Sequence, residues 1–258
     1  MNEEKRNMKI SGSGSMPGGE FDKVSVSGAG KVDGSLRCEE LNCSGSAKIA
    51  GDARVAERLH CSGSVKVEGD VGCGGEMHVS GAFQCGGNAA AQEFHGSGAT
   101  RIGGELSGTE LHVSGVLHAA RVHCTELRAS GSLDVDGGVE AERAALSGVV
   151  KIGGLLNAEK LEFYPAGHCE VGDIGGADIR VLRLPTAKSL LNIFRTNTPG
   201  TLSVRTIEGD YVELENVTAE SVSGKTVRIG AGCHIQHVEY TESLDAEPGT
   251  VGESFKAE

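Results

Sequence analysis

Four histidines recur at nearly equal steps along the chain and are the first residues whose type and placement suggest chemistry. They are His60, His78, His95 and His112. If they occupy one position on successive turns of a repeating structure, neighbouring rings lie about 4.8 Å apart. We interpret them as a ladder of stacked rings on the surface. The alternative is a metal site, since neutral imidazoles are common ligands of transition metals.

The eight cysteines form a second group that could act as disulfides, metal ligands or buried thiols. Seven fall at apolar positions of the repeat described below, and Cys233 lies in an apolar alternation with Ile235. Cys43 and Cys61 are expected to stack about 4.8 Å apart, whereas a relaxed disulfide needs Cβ atoms about 3.8 Å apart. We therefore predict buried free thiols that behave as small apolar side chains.

The structure that positions these residues is a repeat of about 17 residues, marked by a recurring Ser-Gly dipeptide. The dipeptide begins at Ser27, Ser44, Ser62, Ser80, Ser97, Ser114, Ser130 and Ser147. Alignment on it gives three pairs of nearly all-apolar columns, which around Ser62 hold Leu59 and Cys61, Val65 and Val67, and Val71 and Cys73. Members of a pair are two positions apart, as in a strand with one buried face. The sequence thus predicts an all-β fold, a triangular parallel β-helix (β-solenoid) with three short strands per turn.

The repeat also divides the chain into segments. We expect a polar tail over residues 1–7, a regular β-solenoid over 8–172, and an insertion or irregular turn over 173–201, where the Ser-Gly marker is lost. Further solenoid turns are predicted over 202–240, followed by an acidic, disordered tail over 241–258. The many glycines, 40 in all, are expected at corners whose φ values other residues disfavour.

Composition and charge argue against several classes of function. The formal net charge of −12 argues against nucleic acid as a partner, because phosphate contacts need an excess of Lys and Arg. The polar start of the chain lacks the apolar core of a signal peptide, and no apolar run of about 18 residues occurs. A cytoplasmic protein is therefore expected. The sequence contains no P-loop and no Ser-His-Asp set at a useful spacing, so we predict neither an enzyme nor a cofactor.

Charged residues occupy separate outward columns. A glutamate column holds Glu40, Glu76, Glu93, Glu110 and Glu126, and a basic column holds Lys31, Lys48, Lys66, Arg101 and Lys151. These columns are interpreted as solvated faces. Alternatively, the basic column is a lateral surface that bundles copies of the chain or docks a charged partner.

The predicted insertion carries a second candidate surface. Its basic and apolar residues are interpreted as a loop packed on the solenoid, which could include one short helix. They could instead contact a partner or lie peripherally on a membrane surface. The candidate contact residues are Arg180, Arg183, Leu190, Leu191 and Phe194.

Two features of the repeats point to a family. They are Gly-punctuated units such as residues 62–70, Ser-Gly-Ser-Val-Lys-Val-Glu-Gly-Asp, and the stretch from Ile207 to Tyr240. In both, the sequence resembles the bactofilins, a family of polymer-forming bacterial cytoskeletal proteins. The resemblance implies a right-handed β-helix, polymerisation through the helix ends without nucleotide, and a scaffold for cell shape, envelope organisation or motility. The implied partners are further copies of the chain and envelope or motility proteins, at the inner face of the membrane in some members. This solenoid is long, and the apolar N-terminal membrane peptide of some members is not visible.

The ends of the solenoid are the expected polymerisation interface, because unpaired strand edges and an apolar cross-section favour stacking. The candidate residues are Ile10 and Phe21 at the N-terminal end and Ile229, Ile235, Val238 and Tyr240 at the C-terminal end.

Other β-helix proteins remain alternatives. Left-handed hexapeptide acyltransferases have turns of similar length, and Ile102-Gly103 and Ile152-Gly153 fit their aliphatic-Gly step. Pectate-lyase-like enzymes form a second such class. An ice-binding solenoid is disfavoured, because its flat Thr ladders are replaced here by His, Lys and Glu.

Overall fold

The structure, a computed structural model, describes residues 7–183 and 200–257, and these contain β-strands and no helix. The chain divides into two compact units, Met1–Thr125 and Glu126–Glu258. Each unit is a parallel β-solenoid, so the predicted all-β fold is confirmed. The expected polar tail over residues 1–7 lies almost wholly outside the described residues.

The first unit is built from short strands that alternate outward and inward side chains. In Ser46–Ile49, for example, Ser46 and Lys48 are exposed while Ala47 and Ile49 are buried. The strands are β1 Met8–Ile10, β2 Ser13–Val26, β3 Ala29–Cys43, β4 Ser46–Ile49, β5 Ala53–Cys61, β6 Ser64–Val67, β7 Val71–Val79, β8 Ala82–Cys85, β9 Ala89–Gly96 and β10 Ala99–Val113. The next strand, β11, spans Val116–Ala129 and contains the unit boundary.

Parallel pairing sets each turn directly on the previous one. Lys31 pairs with Lys48, and Lys48 with Lys66, so one repeat of the sequence makes one turn of the solenoid. Each turn contributes three buried pairs, and one full turn buries Val65 and Val67, Val71 and Cys73, and Met77 and Val79. The predicted inward columns therefore form the core of the first unit.

The second unit is built from parallel strands in the same way, and one of its later turns uses fewer residues. Its strands are β12 Ser132–Val135, β13 Val139–Leu146, β14 Val149–Phe163, β15 His168–Val181, β16 Thr201–Leu214, β17 Val217–Ile229, β18 His234–Ala246 and β19 Val251–Lys256. Leu202 of β16 pairs with Val217 of β17, so this turn uses fewer residues than the turns of the first unit. Aliphatic residues at the inward positions, such as Val212 and Val227, keep the core filled.

Two segments differ from the sequence expectation. Residues 173–181 were expected in an insertion, but they belong to β15 and pair with both β14 and β16. Ile174 and Ile179 occupy inward positions there, and burying them stabilises the extra turn. The predicted interruption is thereby narrowed to the segment between Arg183 and Gly200, which lies outside the described residues. Val181, before this segment, pairs with Leu214, after it.

The acidic segment 241–258 was expected to be disordered, which is wrong for the described residues. β18 runs to Ala246, and β19 pairs with Ile235–Tyr240. The acidic side chains point outward and leave the main chain free to join the ladder. An acidic segment with few apolar side chains is expected to be disordered. This segment is ordered by main-chain hydrogen bonds, which do not depend on apolar side chains.

The glycines of the Ser-Gly corners are required by close stacking and not, as expected, by unusual φ values. A Cβ on Gly63 would lie 2.0 Å from the carbonyl oxygen of Gly45 on the turn below. None of the Ser-Gly glycines has a positive φ; Gly34, elsewhere, does. A larger residue would therefore push successive turns apart.

Candidate functional site

The N-terminal end of the first unit leaves an inward-facing residue partly uncovered. β1 pairs with Val24–Val26 of β2, while Ser13–Phe21 of β2 pairs with β3 on one side only among the described residues. Phe21 pairs with the buried Cys38 yet remains half-exposed. Ile10 lies in the same turn and is buried. An apolar side chain and an unpaired strand edge are thus presented together.

The C-terminal end of the second unit differs from the expectation. Ile235 and Val238 were predicted to form the exposed contact, but they are only 3% and 0% exposed because β19 covers them. Ile229 is also buried, between Leu214 and Ala246. Tyr240 pairs with Lys256 of β19 and is half-buried. These residues are therefore internal to the chain and do not form its terminal surface.

The uncovered positions at this end lie further along β18. β19 pairs with the first half of β18 and leaves Ser243–Ala246 paired on one side only, among the described residues. Leu244 faces inward above the fully buried Val227, yet it is half-exposed. The end of the second unit therefore resembles the first turn of the first unit, with an apolar inward residue beside an open edge.

The histidine ladder forms as predicted and is paired with glutamates. The rings of His78 and His95 are stacked with centroids 4.7 Å apart and planes at 8°, and those of His95 and His112 are 5.0 Å apart at 28°. His60 is tilted by 46° and lies 6.4 Å from His78. A glutamate lies two positions before each stacked ring and contacts it, which the separate glutamate and histidine columns of the sequence did not predict.

Two lysines of the basic column, Lys31 and Lys48, form ion pairs with acids of the same chain. Lys31 Nζ lies 2.5 Å from Asp33, and Lys48 Nζ lies 2.8 Å from Glu68. A hydrogen bond to Asp33 raises the pKa of Lys31, and one from Lys48 lowers the pKa of Glu68. Arg101 continues the column on β10, whereas Lys151 belongs to β14 of the second unit. The faces are therefore mixed in sign.

Arg180 and Arg183, two candidates for partner contact, are bound within the second unit. Arg180 Nε donates to Asp178 at 3.0 Å, and its guanidinium lies over the ring of Tyr211. Arg183 Nη2 donates to Asn216 Oδ1 at 2.8 Å. Asn216 in turn donates to Gly200 O at 3.3 Å and so joins the two ends of the undescribed segment. Leu190, Leu191 and Phe194 lie outside the described residues.

All eight cysteines are buried free thiols, as the apolar columns predicted. Burial raises the pKa of the Cys38 and Cys61 thiols to about 12. At neutral pH they are therefore protonated and weakly nucleophilic.

An open groove of about 820 Å³ in the second unit was not foreseen from the sequence. Its floor is a stack of glycines, Gly176, Gly209 and Gly224, one per turn. Its rim carries Asp173, which Arg205 and Thr206 bind, and Lys225, whose Nζ lies 3.0 Å from Asp210. The recurring glycine in β15, β16 and β17 was the available sequence signal.

Comparison with known proteins gives relatives but no function. The chain is 35% identical over 96 residues to the uncharacterized protein YhbE and 37% identical over 98 residues to the uncharacterized protein YhbF, both of Bacillus subtilis (strain 168). Each match covers 37% of this chain and 39% or 38% of the relative, so the likeness spans about two-fifths of those proteins. No family model matches. No solved structure matches. Among the described residues, no helix is long and apolar enough to cross a membrane.

Proposed function

We propose that this chain is a self-assembling scaffold of the bactofilin type, in which copies stack end to end without nucleotide. The observation that carries the proposal is the pair of half-covered inward residues, Phe21 in the first turn and Leu244 in β18. Each lies beside a strand edge that no other described residue pairs with. Open edges of this kind pair readily with another chain. Stacking would cover both side chains and extend the parallel ladder, and burial alone favours it.

The proposed cellular role follows from such polymers. A filament provides a regular surface on which cell-shape, envelope or motility proteins assemble, in the cytoplasm or at the inner face of the membrane. The outward columns would provide the contacts, because they repeat on each turn while the inward columns fill the core. The mixed charge of these columns favours docking of partners through complementary pairs.

The test is electron microscopy and sedimentation of the purified full-length chain and three lysine variants. Phe21→Lys and Leu244→Lys place a charge where stacking would desolvate it, which costs several kcal/mol per unpaired ion. We expect both to remain folded by circular dichroism but to lose filaments. The matched control is Val116→Lys, which changes a side chain that is already 52% exposed on a strand face. It is expected to polymerise normally.

Two results would reject the proposal. One is a wild-type chain that stays a single small species at micromolar concentration. The other is wild-type filament length in both end variants. A discrete trimer would instead favour the acyltransferase alternative.

A further inference from the structure

The histidine ladder is a set of three Glu-x-His pairs on three stacked turns of the first unit. Register places His78, His95 and His112 in one column and Glu76, Glu93 and Glu110 in the column beside it. The residue between each pair, Met77, Phe94 or Leu111, is fully buried. These core side chains anchor the strand, so each glutamate and histidine project together from the same outward face.

The distances within the pairs are those of metal ligands sharing one ion. The separations of histidine Nε2 from glutamate Oε2 are 3.4 Å for His78 and Glu76, 3.8 Å for His95 and Glu93, and 3.5 Å for His112 and Glu110. Two ligands each about 2.1 Å from a tetrahedral zinc ion are about 3.4 Å apart. Small rotations of half-exposed side chains would therefore let each pair hold one ion.

The neighbouring turns place further imidazoles beside the middle pair. The ring centroid of His95 lies 4.7 Å from that of His78 and 5.0 Å from that of His112. Because the rings are stacked, their in-plane lone pairs run side by side and do not meet at one point. Rotation of the His78 or His112 side chain would bring a second imidazole to an ion held by His95 and Glu93. Nearby charge also favours the middle pair over the pair of His78 and Glu76. The carboxylate of Glu76 also contacts Arg58, whose Nε lies 3.5 Å away. Glu93 instead lies in register with Glu110, a second carboxylate that attracts a cation.

We propose that this ladder is a surface binding site for divalent transition-metal ions such as Zn²⁺, centred on His95 and Glu93. Mixed imidazole and carboxylate ligands suit zinc, nickel and copper, whereas magnesium and calcium prefer oxygen alone. The site is independent of filament assembly, because every ligand comes from one chain. It requires neutral imidazoles, so protons compete with the metal.

The experiment is isothermal titration of the full-length chain with Zn²⁺ and, separately, with Mg²⁺ at neutral pH. We expect saturable Zn²⁺ binding and no comparable Mg²⁺ binding. His95→Gln should weaken Zn²⁺ binding by at least about tenfold, since it removes the imidazole shared by the middle of the ladder. Glu93→Gln should weaken it in the same direction.

The chain contains its own control. His60 occupies the same column, but its ring is tilted away and the residue two positions before it is Arg58 instead of glutamate. His60→Gln should therefore bind Zn²⁺ as the wild type does, and circular dichroism should be unchanged in all variants. Equal losses in His60→Gln and His95→Gln, or Zn²⁺ binding no tighter than Mg²⁺ binding, would overturn the proposal.

Discussion

At the scale of single residues, this solenoid depends on small side chains at close approaches between turns. A column at one corner places Ser35, Asp52, Asp70 and Asn88 above one another. The backbone N–H of Asp70 donates to Asp52 Oδ1 at 3.0 Å, and that of Asn88 donates to Asp70 Oδ1 at 2.7 Å. A Cβ on Gly69 would lie 2.2 Å from Asp52 Oδ1. Each glycine thus makes room for a side chain that caps the next turn.

Thr100 is a residue whose replacement should stabilise the chain. Its hydroxyl is buried in the column above Phe83, and it is the buried side-chain oxygen without a hydrogen-bond partner among the described residues. A buried hydroxyl without a partner is costly, and valine keeps the shape. Thr100→Val should raise the free energy of unfolding by about 1 kcal/mol.

Urea denaturation measures this difference. Thr100→Ser is the control, because it keeps the hydroxyl and loses only the methyl group, and it should lower stability. A Thr100→Val protein less stable than the wild type would show that the hydroxyl has a partner such as a buried water.

At the scale of strands, neighbouring turns are joined by side chains distant in sequence. Asp173 of β15 accepts hydrogen bonds from the Arg205 side chain, at 3.0 Å for Nε, and from Thr206 Oγ1 at 2.6 Å, both on β16. The hydrogen bond from Arg205 is the main cause that lowers the pKa of Asp173 from its ordinary value of 3.8. These contacts hold β15 and β16 together across the interruption.

This lowered pKa gives a prediction for acid stability. Because the folded-state pKa of Asp173 lies below its unfolded value, its stabilisation is present above pH 3.8 and is lost as pH falls through the lower folded pKa. Asp173→Asn should therefore lower stability modestly at pH 7, by about 1 kcal/mol or less, since the pair is at the surface. The difference should shrink as pH falls below 3.8 and vanish below the folded-state pKa of Asp173.

Denaturant titrations of both proteins at pH 7 and in acid test this prediction. Asp178→Asn is a useful comparison, because Asp178 pairs with Arg180 two positions away on the same strand. A stability difference for Asp173→Asn that persists unchanged in acid would contradict the assignment.

At the scale of the whole chain, the last strand protects apolar residues of the turn beneath it. β19 covers Ile235 and Val238, and its own residues are polar apart from Val251 and Phe255. Removing residues 249–258 should expose the two buried side chains. We expect increased binding of an apolar dye and a lower midpoint of thermal unfolding, because buried apolar surface is lost. Removing Glu258 alone is the control, because it keeps the hydrogen bond from Ala257 N–H to Tyr240 O, and it should leave both measurements unchanged.

The sequence by itself was sufficient to predict the core of the first unit and the burial of the cysteines. Inward positions such as Val65 and Val67 follow from local alternation repeated every turn, which needs no knowledge of distant contacts. The same regularity aligned His78, His95 and His112, because residues in one column of a parallel ladder must stack. The burial of Cys61 followed from its place in an inward column.

Only the tertiary structure decided how the outward side chains pair and where the ends are covered. The partner of a long, flexible side chain such as Lys48 or Arg183 depends on which groups the folded chain brings within its reach. Arg183 lies before the undescribed segment, and its hydrogen-bond partner Asn216 lies after it. β19 could not be predicted from the acidic composition of residues 241–258, because its order comes from main-chain hydrogen bonds to β18. Alternation of side chains fixes which face is buried, but the coverage of an edge depends on which strand lies beside it.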